Sequence, residues 1–182
     1  MRNSIDSRGG RRRSFSSAAG LGLVLVFLLA FAGSACTVTV APVVAPDPEV
    51  ACPGGLPGWR LEIADQRADR NHASNVEKTV RDSIVRSLPG CQWIAGDAPA
   101  PTITIELHRF SVRKEDNWEA AVEWGVLARD SQGRTLTEFQ AESLVSRPNY
   151  RGEDNEKAAL QQAMNEAMRR TLVGLRAVPP SR

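Results

Sequence analysis

The sequence predicts an α+β fold, a two-layer sandwich in which a mainly antiparallel sheet carries two helices on one face, in the order β-α-β-β-β-β-α. Three observations predict it. Trp118, Ala120, Val122, Trp124, Val126 and Ala128 form the longest period-two alternation in the chain, the mark of a strand with one buried face. Val76, Val80, Ile84 and Leu88 recur every four residues, and Leu160, Ala163, Met164, Ala167, Met168, Thr171, Leu172 and Leu175 recur at three and four, the marks of two amphipathic helices. Two such helices need one apolar sheet face to cover, and a two-layer arrangement supplies it while leaving the other face open.

Each remaining element has its own signal. Trp59, Leu61 and Ile63 alternate with Arg60 and Glu62, giving a half-buried first strand, and a charged loop follows over Asp65–Asn71. Ser74-Asn75-Val76-Glu77 fits a capping box for the first helix, which Pro89-Gly90 ends. Cys91–Ala95 is a short strand. Ile103, Ile105 and Leu107 alternate, and the apolar phase then moves to Phe110 and Val112, which places a bulge around His108-Arg109. Arg113–Asn117 is a charged hairpin tip and Asp130–Gly133 a turn. Thr135–Ser146 returns as a strand through Leu136, Phe139, Ala141 and either Leu144 or Val145. After the loop Arg147–Glu153, Asp154 is the expected N-cap of the long last helix.

The charge is unevenly spread. The 182 residues carry 23 Lys+Arg against 21 Asp+Glu, a formal +2. Residues 1–35 hold Arg2, Arg8, Arg11, Arg12 and Arg13 against Asp6, so the remainder is weakly acidic. Neither sign is in enough excess to indicate nucleic-acid binding. The arginines precede the apolar run Ala18–Ala32, which is shorter than the roughly 20 residues a spanning helix needs and matches a secretory signal. Ala32-Gly33-Ser34-Ala35-Cys36 then resembles the lipobox of bacterial lipoproteins, with Gly33 where Leu is usual. Residues 1–35 therefore read as a lipoprotein signal peptide and Cys36 as the lipidation site. Ordinary cleavage after Ala35, with Cys36 a bystander, is the alternative. Arg12-Arg13-Ser14-Phe15 also fits a twin-arginine signal, so the export route stays open. Two or more acyl chains on Cys36 would give stable anchoring. Thr37, where inner-membrane retention would place Asp, leans the expectation toward the outer membrane.

Residues 36–58 carry Pro42, Pro46, Pro48, Pro53 and Pro57 and read as a proline-rich tether ahead of a periplasm-facing domain at 59–178, with 179–182 a short tail. With Cys36 taken by lipid, Cys52 and Cys91 are left as an exported pair, which favours a disulfide; spacing alone leaves two separate thiols possible. No cofactor or metal is expected. His72 and His108 are the two histidines, and neither has a nucleophile elbow or a ligand cluster around it. Asp65, Arg67, Asp69 and Arg70 read as solvated loop ion pairs. For partner binding, the tip residues Arg113, Lys114 and Glu115 with the adjacent Trp118 are the candidates, since exposed tips with an aromatic often anchor interfaces; Trp118 is also in phase with Val122 and Trp124, which favours the core.

The strand Trp59–Arg67, the helix Ser74–Leu88, the stretch Thr102–Val112, the meander Trp118–Ser146 and the last helix with Lys157-Ala158-Ala159-Leu160-Gln161-Gln162-Ala163 together resemble a family. They are similar to the small auxiliary lipoproteins of ABC-type envelope transport systems, and to small lipoproteins of lipopolysaccharide assembly and YajG-like type. The resemblance implies a non-enzymatic accessory that helps move hydrophobic envelope molecules, by docking its open sheet face or hairpin tip on an envelope transporter or assembly protein. A structural envelope protein that binds cell wall or self-associates is the second expectation, and a secreted hydrolase the third.

Overall fold

The computed structural model describes residues 40–42, 52–56, 58–68, 75–96 and 98–180. The expected signal peptide, Cys36, Asp69, Arg70, His72 and Ser74 lie outside the described residues. The elements are β1 (Gly58–Asp65), α1 (Val76–Ser87), β2 (Gln92–Trp93), β3 (Thr102–Lys114), β4 (Asn117–Arg129), β5 (Thr135–Pro148) and α2 (Glu153–Arg176), with 3-10 turns at Pro53–Gly55 and Asn149–Arg151. This is the expected order.

The five strands form one sheet in the order β2-β1-β3-β4-β5. β3, β4 and β5 are an antiparallel meander, while β1 runs parallel to both of its neighbours. Alternation reports which face a strand buries and is silent on the direction of its neighbour, so the parallel half was not legible. Inner-face pairs such as Ile103 with Ala128, Ile105 with Val126 and Leu107 with Trp124 build the core. α1 covers β1, and α2 covers β4 and β5. The buried indole of Trp124 donates to Thr171 Oγ1 at 2.8 Å, and that hydroxyl donates to Ala167 O at 3.0 Å, so a polar residue in the middle of α2 is satisfied. The register shifts between Leu107 and Arg109, where the change of apolar phase placed a bulge.

One open alternative is settled and two local expectations change. In β5 the inward residues are Ala141, Ser143 and Val145, and Leu144 faces out at 73% exposure, because Leu144 pairs across the sheet with the outward Ala121. Gly152 and not Asp154 holds the N-cap of α2; the turn Asn149–Arg151 brings the chain in two residues earlier than the capping signal implied. Asn75 holds the N-cap of α1 without a side-chain cap bond.

The proline-rich stretch is more than a spacer. Val40 is only 2% exposed and belongs to the core. Thr79 Oγ1 of α1 donates to Val40 O at 3.5 Å. The Gln161 amide of α2 clamps Ala41 at both ends, accepting from its N–H at 2.9 Å and donating to its carbonyl at 3.2 Å. Farther along, Trp59 Nε1 donates to Pro53 O at 3.1 Å, and β1 opens at Gly58. An apolar side chain that finds an apolar groove is worth burying, and that ties the segment 40–42 to the domain.

Candidate partner-binding surface

Both helices lie on one side of the sheet, so the opposite side has no covering layer among the described residues. Strand alternation sends the polar positions there. On this face Glu123 of β4 stands in register between Arg109 of β3 and Glu142 of β5. Two carboxylates directly opposite each other repel, and Arg109 flanks only one of them. Glu119 and Glu138 continue the acidic strip along β4 and β5. Leu144 rises within it beside the small Ala121, an exposed apolar side chain with an acidic rim. A depression of about 460 Å³ is bordered by Arg109, Ala121, Glu123, Glu142 and Leu144, with Arg170 of α2 also on its rim.

His108 lies on the same face at the bulge. A Cβ at Gly125 would come within 3.3 Å of His108 Nε2 and 3.9 Å of Glu106 Oε2, so glycine makes room in β4 for the imidazole. Among the described residues no three His, Cys, Asp or Glu side chains converge as a metal-ligand set, and no helix is long and apolar enough to cross a membrane.

The hairpin tip divides its residues between the two faces. Lys114 pairs with Trp118 on the helix side, with Nζ 5.5 Å from the indole centroid, a cation–π contact. Arg113 pairs with Glu119 on the bare face. Glu115 is exposed, and its carbonyl accepts from Asn149 Nδ2 at 3.2 Å, tying the tip to the turn after β5. Trp118 is half-buried against the core, its indole N–H without an acceptor. The tip therefore offers no joint cluster of Arg113, Lys114, Glu115 and Trp118; the cation–π pair is the part held together.

Cys52 and Cys91 are joined by a disulfide, with S–S 2.00 Å across a sequence separation of 39. It ties the turn before β1 to the loop after α1. Asp65 and Arg67 are a correction to the solvated-loop expectation. Arg67 donates from Nε and Nη2 to the Asp65 carboxylate at 2.8 and 2.7 Å, and both side chains are nearly buried. The pair caps the end of β1, where Gln66 N–H still reaches Leu107 O at 2.9 Å. On the helix layer, hydrogen bonds from Arg169 and then Arg170 hold the Glu166 carboxyl down at about 2. Lys78 does the same to Asp82 in direction, through its hydrogen bond. At the β4–β5 turn, desolvation opposes ionisation of Asp130, but hydrogen bonds from Arg134 and the Gln132 amide outweigh it and its pKa is lowered.

Sequence reasoning located the tip and the cysteines but missed the acidic strip and Leu144. Their signal was present in the outward phase of 119–123 and 138–146, and it becomes readable once the register of β4 on β5 is known.

The chain is thus a two-layer α+β protein with one sheet face covered by two helices and the other bare. No protein-family model matches it, and no curated protein does. Solved structures do. A Xanthomonas campestris protein of the DUF330 family is 16% identical, with TM-score 0.47, over 75% of this chain and 90% of that one. Lipoprotein GNA1162 from Neisseria meningitidis is 9% identical, with TM-score 0.42, over 64% and 98%. The hypothetical protein CT253 from Chlamydia trachomatis is 8% identical, with TM-score 0.49, over 66% and 96%. These identities and scores are too low to carry function across, so the chain's own residues decide.

Proposed function

We propose that this chain is a lipid-anchored protein of the bacterial cell envelope, a non-enzymatic accessory of envelope transport or assembly that works by docking a protein partner. Cleavage after Ala35 leaves Cys36 to carry the acyl chains. The observation that carries the docking is the bare sheet face, where Leu144, 73% exposed, stands within the strip Glu119, Glu123, Glu138 and Glu142. An apolar anchor inside a polar rim is the anatomy of a protein contact. The two carboxylates set directly opposite each other, Glu123 and Glu142, favour a partner that brings cations.

The test is photo-crosslinking in cells from Gln140, Leu144 and Glu115, with the captured protein identified by mass spectrometry. A discrete adduct with an envelope transport or assembly component from the sheet-face positions is expected. No adduct from any of the three overturns the docking model. A self-associating structural protein is the second reading. It is favoured by β5, a 14-residue edge strand whose outer side pairs with no other strand among the described residues. Crosslinks between two copies from β5 would put that reading first.

A further inference from the structure

We propose that the helix layer is the side this domain turns toward the membrane, held there by the short span between Cys36 and Val40, so that the bare sheet face points away from the lipid. This rests on the acylation of Cys36 proposed above.

The first ground is chain length and where it ends. Cys36 and Val40 are four residues apart. At 3.3–3.6 Å per residue the span reaches about 14 Å at most, whatever its conformation. Val40 is fixed at the far end of that span. It is buried, its carbonyl accepts from Thr79 of α1, and the next residue is clamped by Gln161 of α2. The anchor therefore enters the domain on the helix side. To set the sheet face on the bilayer, the same span would have to pass a helix roughly 10 Å thick and then the sheet behind it. Its reach is too short.

The second ground is the chemistry of the two sides. One exposed valine, Val173 at 54%, stands on the outer stripe of α2. Arg169, Arg170 and Arg176 lie three or four residues from it, the first two sharing the Glu166 carboxylate. A valine among guanidinium groups suits a surface of anionic phosphates over acyl chains. The opposite side carries Glu119, Glu123, Glu138 and Glu142 against Arg109 and Arg113, an excess of carboxylates that such phosphates repel. Both grounds give the same orientation, and it leaves the proposed docking face accessible to a partner.

The test uses the lipoprotein made from the full precursor and reconstituted into vesicles of phosphatidylethanolamine and phosphatidylglycerol that carry a headgroup-attached quencher. A fluorescent noncanonical amino acid is placed singly at Val173, Gln140 or Asp116. Quenching at 173 is expected to exceed that at 140 several-fold and to exceed that at 116. A Gly/Ser insert of about 12 residues between Val38 and Thr39, adding roughly 20 Å of reach, is expected to erase most of that difference while flotation with vesicles persists. Equal quenching at 173 and 140, the strongest quenching at 116, or a difference unchanged by the insert each overturns the proposal. Flotation separates the two readings. Loss of flotation in Cys36→Ser with wild-type flotation intact supports the anchor, so symmetric quenching then sinks the orientation alone. A wild-type protein that does not float removes the anchor and the orientation together.

Discussion

Gly174 shows how much one missing side chain decides in this core. A Cβ there would clash with Phe139 Cζ, because the ring packs directly on the α2 backbone. Glycine costs a helix about 1 kcal/mol relative to alanine, yet here alanine has no room. Gly174→Ala is expected to destabilise the domain by roughly 1–3 kcal/mol in urea denaturation, the usual range for an overpacked core. Adding Phe139→Leu should recover most of the loss; a G174A protein as stable as wild type would show that the ring yields freely. Residue-level detail was the least legible part of the sequence. Leu144 and Val145 are adjacent apolar residues, and a period-two pattern containing both cannot choose its own phase. Val40 was hidden for a different reason. A single valine in proline-rich sequence carries no periodicity, and only the groove between two helices gives it a place.

At the scale of elements, two devices can be measured separately. The first is the disulfide between the turn ahead of β1 and the loop after α1. Closing a loop of 39 residues removes unfolded-state entropy equivalent to about 4 kcal/mol on the chain-entropy model. Reductant should therefore lower Tm substantially in the wild-type protein and leave the already lowered Tm of Cys52→Ala/Cys91→Ala unchanged. The second is Glu166 on α2, whose carboxyl is held at about 2 by Arg169 and Arg170 against an ordinary 4.5. A depressed carboxyl stabilises the fold fully above its unfolded pKa. That contribution is lost as pH falls from about 4.5 toward about 2. Thermal melts through that window should show wild type losing its advantage over Glu166→Gln. The loss is small, because the carboxylate is a third exposed and water screens the pair. Element identity was well read from the sequence, down to the bulge beside His108, since strands and helices here obey their periods. Helix caps were read less well. Asp154 is a good capping residue by type, but the backbone turn at Asn149–Arg151 and not side-chain chemistry sets where α2 begins.

At the scale of the molecule, two layers and seven elements in order followed from apolar patterning alone, because two one-sided helices require one one-sided sheet. The neighbours within the sheet did not follow. Pairing β1 in parallel between β2 and β3 depends on contacts that no local window contains. The surface suffered in the same way: the strip from Glu119 to Glu142 exists only when β4 and β5 are set in register, and along the chain its members are ordinary outward residues.

The position of β1 also bears on how the chain acquires its shape. Both strands that flank it come later in sequence, and Arg60 waits for Thr102 before the longer of its two pairings can begin. Parallel pairings between distant segments form slowly, since loop closure must precede the contacts that reward it. The meander β3-β4-β5, joined by tight turns and covered by α2, needs no such wait. Under the export proposed above, with the N-terminus leading, the first strand to arrive is thus among the last to be locked. Until β3 follows, the segment around Trp59 lacks its longer pairing partner and stays open to a protease or a chaperone.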